Sequence, residues 1–239
     1  MEEKFAKDLK QLSEKIEVML NEEQINKYYD YMNLLIEWNN KINLTAITSQ
    51  DEIILKHFVD SMTVLRYLKE DKSIIDVGTG AGFPGVPIAI VNKNVSITLM
   101  DSLNKRILFL NDIKEKLNLN NVKTIHSRAE DLGRNKLNRE KYDVAISRAV
   151  ANLTTLSEYL LPFVKVGGKC ICMKGANVQE EINESKKAIQ VLGGKIEKID
   201  EFCLPGTDMK RNIIVIRKIN QTDKKYPRKA GIPSKEPIK

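Results

Sequence analysis

The spacing of apolar residues changes near residue 70 of the chain. Before that point, apolar side chains such as Phe5 and Leu9 recur at intervals of three to four residues among charged ones. This is the period of an amphipathic helix, so residues 3 to about 70 are predicted to be helical. The polar segment Asn43–Ser49 interrupts the pattern, and its final serine is the predicted N-cap of a helix through Glu52 to Leu68.

After this region the apolar residues fall into short runs that are rich in β-branched side chains. The predicted strands are Ser73–Val77, Val95–Met100, Val122–His126, Tyr142–Ser147, Lys169–Met173, Lys195–Leu204 and Arg211–Lys218. Helices are predicted between the first six strands, at Val86–Asn92, Asn104–Leu117, Ala129–Leu132, Leu153–Val164 and Val178–Leu192. Strands and helices that alternate in this way are typical of a parallel sheet with crossover helices.

The last two predicted strands are separated only by Pro205–Lys210, with no helical pattern between them. Strands joined so closely should pair as an antiparallel hairpin. A mostly parallel sheet closed by one reversed strand distinguishes the methyltransferase version of the doubly wound sheet from the dinucleotide-binding version. The predicted fold class is therefore α/β, a Rossmann-like domain with a seven-stranded, mostly parallel sheet, one antiparallel strand and additional N-terminal helices.

The chain is predicted to divide into three parts. Residues 1–69 form a helical region packed on the core, residues 70–220 form the α/β domain, and residues 221–239 form a C-terminal tail. The tail contains six basic and two acidic residues and so carries +4 of the net charge of +7. A basic excess of this kind suits a nucleic-acid partner. The alternative is a disordered, solvated tail with no ligand.

The segment Ile74–Gly85, which reads IIDVGTGAGFPG, joins the first predicted strand to a helix. Gly78, Gly80 and Gly82 allow the backbone to turn sharply and to approach a ligand closely. From Gly80 the letters also satisfy the GxGxxG pattern, which fits NAD or FAD equally well. The glycines therefore predict a nucleoside site without identifying the nucleoside.

Three acids at strand ends favour one ligand over the other. Asp76 precedes the glycine turn, where a carboxylate attracts an ammonium group and repels a pyrophosphate. Asp101 ends the second strand, where it can accept both ribose hydroxyls, and Glu130 follows the third strand, beside the expected adenine edge. Together they predict S-adenosylmethionine, and hence a class I methyltransferase fold. The alternatives are a turn carboxylate for Asp76 and a solvated acid at a helix start for Glu130.

Composition narrows the class of protein further. The sequence has no apolar run of about 18 residues that could span a bilayer, and six of its first ten residues are charged, so a cytoplasmic protein without a membrane partner is expected. Three cysteines without a CxxC spacing and two scattered histidines indicate no metal site. The expected assembly is a monomer.

The residues Ser147–Val150, which read SRAV, follow the fourth predicted strand. Enzymes that methylate exocyclic amines usually carry an Asp or Asn-Pro-Pro-aromatic turn at this place. Arg148 can bind the cofactor carboxylate, a guanine edge or a phosphate, but it cannot act as a base. Guanine N7 has a free lone pair and no proton, so its methylation needs in-line positioning more than proton removal.

Lys174 ends the fifth predicted strand and Arg211 begins the last one. Because the last strand is reversed, its start should lie at the same edge as the ends of the others. Lys174 and Arg211 are therefore predicted, with Arg148, to position the acceptor. The alternative is that both are ordinary charges at strand ends.

Six segments of the sequence are shared with one known family. They are NKINLTAIT (Asn40–Thr48), HFVDS (His57–Ser61), DVGTGAGFPGVPIAI (Asp76–Ile90), SRAEDL (Ser127–Leu132), SRAVANL (Ser147–Leu153) and YPRKAGIPSKEP (Tyr226–Pro237). With these segments the chain resembles, over nearly its whole length, the bacterial small-subunit ribosomal RNA guanine-N7 methyltransferase family, also called glucose-inhibited division protein B.

The resemblance implies methylation of N7 of one guanosine in the 530 loop of 16S ribosomal RNA, with S-adenosylmethionine as the methyl donor. It also implies that Gly78, Phe83, the pair Ala129 and Glu130, and Arg148 contact the cofactor. The partner would be the small ribosomal subunit.

The tail is predicted to contact RNA through Tyr226, by stacking, and through Lys225, Arg228, Lys229 and Lys235, by binding phosphates. Removing the tail should then spare cofactor binding and weaken RNA binding in a salt-sensitive way. Two rival functions stay open. A methyltransferase acting on a protein or a small molecule would not need the tail, whereas one acting on another RNA could use it. A non-enzymatic RNA-binding module would not need the cofactor.

The HFVDS segment of the helical region is richer in polar groups than packing requires. Its residues His57 and Asp60 are candidates for the RNA or acceptor site. They are equally interpreted as internal hydrogen-bond partners.

Overall fold

The computed structural model describes residues 2–148 and 150–239 and contains one seven-stranded sheet in the order β3-β2-β1-β4-β5-β7-β6. The strands are β1 Ser73–Val77, β2 Ser96–Asp101, β3 Val122–His126, β4 Tyr142–Arg148, β5 Val164–Lys174, β6 Gly194–Cys203 and β7 Lys210–Lys218. Strand β7 pairs antiparallel with both β5 and β6, whereas β1 to β5 pair in parallel. The predicted fold class and terminal hairpin are confirmed.

Helices cover both faces of the sheet. The α-helices are α1 Glu3–Glu14, α2 Glu22–Ile42, α3 Gln50–Glu52, α4 Asp60–Met62, α5 Gly85–Val91, α6 Asn104–Lys116, α7 Ala129–Leu132, α8 Leu153–Leu160, α9 Gln179–Val191 and α10 Ile232–Lys235. Short 3-10 helices lie at Leu65–Tyr67 and Leu161–Phe163. Among the residues described, no helix combines the length and apolar character that a bilayer crossing needs.

The helix predicted through Glu52 to Leu68 differs from the structure. A π-helix, Ile53–Val59, lies between α3 and α4, and the backbone N–H of Asp60 donates to the carbonyl of Leu55, five residues back. Ser49 makes no side-chain bond to the helix backbone, because its hydroxyl donates to the Glu52 carboxylate instead. π-helical turns are uncommon and often lie at functional sites, and this one carries His57.

Strand β5 starts at Val164, earlier than the predicted Lys169. Val164 pairs with Tyr142, and the register of the two strands shifts before Val144 pairs with Lys169. An irregular extension of this kind gives no period-two pattern in the sequence, which explains the difference. The predicted helix through Val164 ends correspondingly early, at Leu160.

The N-terminal helices pack on one face of the sheet in a continuous apolar core. This core runs from Phe5 in α1 to Val215 in β7. The Tyr28 ring contacts the Phe58 ring at 4.9 Å between centroids, and the Tyr28 hydroxyl donates to the carbonyl of Pro87 at 3.0 Å. The helical region is thereby fixed beside the glycine turn.

The tail packs on the opposite face. Tyr226 and Ile238 pack against the apolar cluster that contains α8, α9 and the second face of the sheet. Arg139 and Arg134 donate to backbone carbonyls of the tail, which follows the surface of the α/β domain. Ala149 of the SRAV segment lies outside the described residues.

Candidate functional site

The glycine turn follows β1 with three glycines in the left-handed region. Gly78, Gly80 and Gly82 have φ angles of +69°, +63° and +97°. A Cβ on Gly82 would lie 2.7 Å from the Tyr31 hydroxyl oxygen, so this position has no room for a side chain. The turn is held to β2 because the N–H groups of Gly78 and Thr79 both donate to the carbonyl of Met100, at 2.9 and 3.0 Å.

Asp76 is fully buried directly below this turn. Its Oδ2 accepts hydrogen bonds from the Thr79 hydroxyl at 2.6 Å and from the Gly85 N–H at 2.8 Å. Its Oδ1 is buried and has no hydrogen-bond partner among residues 2–148 and 150–239. Burial raises the pKa of Asp76 to about 7, despite the two bonds that favour the ionised form. An unpaired buried acceptor suits a cationic ligand group.

Asp101 ends β2 and anchors the turn. Its Oδ2 accepts from the Gly80 N–H at 3.0 Å and from the guanidinium of Arg106 at 3.2 Å, and its Oδ1 accepts from the Leu103 N–H at 2.9 Å. The carboxylate is therefore already engaged, so ribose hydroxyls would have to share its oxygens.

A cavity of about 290 Å³ opens at the carboxyl ends of β1, β2 and β3. Its lining includes Gly78, Ala129 and Glu130, as the sequence predicted for a cofactor site. Residues that the prediction did not include also line it: Val77, Met100, Ser102, Ser127, Arg128, Val150, Tyr159, Gly231 and Ser234. The last two belong to the tail. The remaining predicted cofactor residues lie at its border or beyond it.

Phe83 and Arg148 lie in a second group on the far side of the turn. The Phe83 ring stacks on the His57 ring at 4.4 Å between centroids and 15° between planes. The Arg148 guanidinium lies 4.9 Å from the centroid of the same Phe83 ring. It donates to His57 Nδ1 at 3.2 Å and to the carbonyl of Lys56 at 3.0 Å. The π-helix therefore supplies half of this group.

Asp60 joins Arg148 to Arg211. One carboxylate oxygen accepts from Arg148 and the other from Arg211, each at 3.2 Å. Two of the three predicted positioning residues therefore meet at one buried carboxylate, which is 4% exposed. Burial lowers the pKa of Arg148, and the charge of Asp60 opposes that change.

His57 is neutral in this environment. Burial and the positive charge of Arg148 lower the pKa of His57 to about 3. Since its Nδ1 accepts from Arg148, its Nε2 carries the proton and donates to the Thr45 hydroxyl, 2.9 Å away. Thr45 belongs to the polar segment Asn43–Ser49, and His57 belongs to the HFVDS segment. This chain of contacts therefore connects both polar segments of the helical region to Arg148.

Lys174, the third predicted positioning residue, has a different partner. Its ammonium group donates to Glu181 of α9 at 2.7 Å and to the carbonyl of Ala151. The same Glu181 oxygen accepts from the Leu153 N–H at 2.9 Å, at the start of α8. Lys174 thus lies at the predicted edge of the sheet, in contact with α8 and α9.

The tail residues predicted to bind RNA divide by exposure. Lys225, Lys229 and Lys235 are exposed. Tyr226 is half-buried, and the Arg228 guanidinium is paired with Glu158 at 2.7 Å. A phosphate at Arg228 would have to share it with that carboxylate.

From the sequence, His57 and Asp60 were only candidates, and the tail residues Gly231 and Ser234 were not predicted to line the site. The signal for the first two was the unusual polarity of HFVDS within a helical pattern. No sequence pattern indicated that the tail reaches the cavity, because the contact joins residues about 100 positions apart, such as Glu130 and Gly231.

The chain is similar to named proteins over almost its whole length. A family profile described as rRNA small subunit methyltransferase G matches residues 24–214. The Ribosomal RNA small subunit methyltransferase G of Acetivibrio thermocellus is 55% identical over 222 residues, 92% of this chain and 91% of that protein. The protein of the same name from Clostridium perfringens strain 13 is 52% identical over 233 residues, 97% of this chain and 98% of that one.

A solved structure with low sequence identity shares the fold. A SAM dependent methyltransferase from Aquifex aeolicus superposes with a TM-score of 0.52 at 17% identity, over 69% of this chain and 92% of that chain. This likeness agrees with the fold class predicted from the sequence.

Proposed function

Because the chain belongs to the rRNA small subunit methyltransferase G family, whose members methylate small-subunit ribosomal RNA with S-adenosylmethionine, we propose that its acceptor is N7 of a guanosine in the 530 loop of 16S ribosomal RNA. The observation that carries the proposal is that none of the described groups around Arg148 is a free base. Both oxygens of Asp60 are engaged by arginines, and His57 Nδ1 accepts from Arg148.

An exocyclic amine or a hydroxyl must lose a proton during methylation, whereas guanine N7 has none to lose. The described acceptors around Arg148 are already engaged by guanidinium groups, so none of them is available to remove a proton. This arrangement supports N7 over the exocyclic amines of the bases.

The cofactor supplies an electrophilic methyl group on a sulfonium, and the residues of the turn fit such a ligand. Asp76 Oδ1, buried and unpaired, would face the ammonium group of the methionyl part. Asp101 would share its oxygens with the ribose, and Ala129 and Glu130 would border the adenine. Gly78 has no side chain, so the backbone of the turn could approach the ligand closely. Further predicted contacts are Gly80, Gly82, Phe83 and Arg148.

Arg148 would contribute to both halves of the reaction. Its guanidinium is held over Phe83 by Asp60, His57 and a backbone carbonyl, and it cannot rotate without breaking these contacts. A fixed guanidinium can bind the cofactor carboxylate on one side and exclude water from the acceptor pocket on the other. Holding the nucleophile, methyl and sulfur in line is the main catalytic task.

The ribosomal RNA would be held in part by the exposed lysines of the tail. We propose Lys225, Lys229 and Lys235 of the tail as phosphate contacts, with Arg211 closer to the target base. Tyr226 and Arg228, also predicted to contact RNA, would share their side chains between the RNA and their present partners. Lys174 would act through its contact with Glu181 of α9, whose carboxylate also accepts from the Leu153 N–H at the start of α8.

The acceptor atom is tested with small subunits reconstituted from 16S ribosomal RNA that carries 7-deazaguanosine at the target position. We expect methyl transfer from labelled cofactor to the unmodified guanosine subunits and none to the 7-deaza subunits. Equal label in both would contradict N7 as the acceptor while leaving the methyltransferase activity intact. Absence of label in both would favour a protein that only binds RNA, or one that methylates a different substrate.

A further inference from the structure

Two buried carboxylates of the α/β domain obtain their hydrogen bonds from the tail. Glu158 on α8 is 1% exposed, and it accepts from the Arg228 backbone N–H at 2.7 Å and from its guanidinium Nη2 at 2.7 Å. Glu130 on α7 is 6% exposed, and its Oε1 accepts from the Gly231 N–H at 2.9 Å. In the part of the chain that the structure describes, neither carboxylate has another hydrogen-bond partner. The tail therefore supplies hydrogen-bond donors to two buried carboxylates of the domain, and at Glu158 it also supplies a positive charge.

The path of the tail that leads to Arg228 is fixed by further arginines. Arg139 donates to the carbonyls of Tyr226 and Thr222, each at 2.7 Å. Arg134 donates to the carbonyl of Pro227 at 2.8 Å. Charged donors to backbone carbonyls are among the stronger hydrogen bonds, so this segment is attached at several points rather than resting on the surface.

This path ends at the cavity beside the glycine turn. Gly231 and Ser234 line the cavity together with Ala129, Glu130 and Tyr159. Glu130 both lines the cavity and accepts a hydrogen bond from the tail. Its Oε1 is taken by the Gly231 N–H, and no described residue donates to its Oε2.

We propose that tail residues 226–235 form the adenine-side wall of the cofactor site and that the Gly231 N–H orients Glu130. With one carboxylate oxygen held by the tail, the other is free to accept from the exocyclic amino group of adenine. This inference rests on the proposed role of Glu130 as an adenine contact. It changes the expectation from the sequence that removal of the tail spares cofactor binding.

Docking of the tail and binding of the cofactor then stabilise each other. Thermodynamic linkage requires that the factor by which a docked tail tightens cofactor binding equals the factor by which cofactor strengthens tail docking. Arg228 is the positioning residue at the far end of the wall, because its loss leaves Glu158 as an uncompensated buried charge and frees the segment that leads to Gly231.

The first test compares Arg228→Met with Lys224→Met in the full chain. Both substitutions remove one positive charge from the tail, but Lys224 is exposed and has no described hydrogen bond. We expect the Kd for S-adenosylmethionine, measured by calorimetry, to rise about tenfold in Arg228→Met and to stay unchanged in Lys224→Met. Equal affinities in Arg228→Met and the unsubstituted chain would overturn the proposal.

The second test needs no variant and so does not depend on the variant folding. Amide hydrogen exchange of the unsubstituted chain is measured with and without S-adenosylhomocysteine. We expect slower exchange both at 78–83, in the glycine turn, and at 226–235, in the tail. Slower exchange at the turn alone would contradict the tail wall and keep the cofactor site, whereas unchanged exchange in both would remove the cofactor assignment and the wall together.

Discussion

At the scale of single residues, the carboxyl group of Asp76 lacks part of the hydrogen bonding that a buried polar group normally has. Its Oδ1 is buried and unpaired in the described chain, and burial raises the pKa of its carboxyl to about 7. A neutral carboxyl at pH 6 would have to lose its proton before it could pair with an ammonium group. Cofactor binding should therefore release a proton below about pH 7.

We expect the Kd for S-adenosylmethionine to rise by about tenfold for each pH unit below about 7, because ionisation of Asp76 becomes progressively less favourable there. The Asp76→Asn variant should bind more weakly at pH 8 and lose most of this pH dependence. Calorimetric titrations between pH 5.5 and 8 measure both. A pH-independent Kd in the unsubstituted chain would argue against a contact between Asp76 and the ammonium group.

The same pKa has a consequence for stability without cofactor. A carboxyl whose pKa is higher in the folded than in the unfolded chain binds its proton more tightly when folded, so the free energy of unfolding falls as pH rises from about 4 to 7. Asp76→Asn removes that group. Its free energy of unfolding relative to the unsubstituted chain should therefore increase over this pH range, which chemical denaturation at several pH values would measure.

Asp60 shows why a polar residue in a helical pattern can be both structural and part of a site. It pairs with Arg148 and Arg211, and its removal would leave two guanidinium groups without their carboxylate. We expect Asp60→Asn to lower the free energy of unfolding by about 3 kcal/mol and to reduce methyl transfer. The control is Asp51→Asn, which affects an exposed pair with Lys4. A loss of activity without a loss of stability would indicate that Asp60 contacts the RNA instead.

At the scale of secondary-structure elements, most helices were predictable from the period of their buried apolar residues. Most strands were predictable from short apolar runs, because the central strands are buried on both faces. The antiparallel pairing of the last strand followed from the short connection at Pro205–Lys210. The π-helix Ile53–Val59 and the early start of β5 at Val164 were not predictable, since both are adjustments to neighbouring elements that leave the hydrophobic period nearly unchanged.

Helix α2 and the glycine turn are joined by one hydrogen bond. The Tyr31 hydroxyl donates to the carbonyl of Ala81, and both groups are buried. We expect Tyr31→Phe to lower the free energy of unfolding by about 1–2 kcal/mol, because the Ala81 carbonyl would lose its partner. Cofactor affinity should also fall, since the turn would be less firmly held.

The matched control is Tyr29→Phe, because the Tyr29 hydroxyl has no described hydrogen bond although its ring contacts Phe5 at 5.2 Å. Urea denaturation of both variants gives the comparison. Equal stabilities of the two variants would show that α2 does not support the turn through this hydroxyl.

At the scale of the whole molecule, the sequence predicted the class of cofactor site but not its complete wall. Asp76, Gly78 and Glu130 could be proposed from the sequence because strand ends and glycine turns have a local signature. The contributions of Gly231 and Ser234 depend on how the tail folds back, which no local pattern encodes. The predicted division of the chain into three parts, at residues 69 and 220, stays a prediction. The apolar core is continuous from Phe5 to Val215 and therefore crosses the first of these boundaries.

The exposed lysines of the tail should contribute to RNA binding without affecting the fold. We expect the double variant Lys229→Gln and Lys235→Gln to bind small-subunit ribosomal RNA more weakly. The slope of log K against log salt should become shallower by roughly one for each phosphate that the variant no longer neutralises. Filter binding over a salt series measures the slope.

The control double variant is Lys7→Gln and Lys10→Gln, which removes two exposed charges from α1 on the other face of the molecule. An equal change of slope in both double variants would mean that the contribution is a general effect of net charge. No change in the tail variant would remove the tail lysines from the RNA interface.

Methylation of guanine N7 in the 530 loop is tested most directly by mapping the product. Small subunits that lack the modification are incubated with the protein and labelled S-adenosylmethionine, and their RNA is treated with borohydride and aniline, which cleaves at 7-methylguanosine. We predict label in 16S ribosomal RNA and one new cleavage site, in the 530 loop. Label without cleavage in that loop would contradict the assignment.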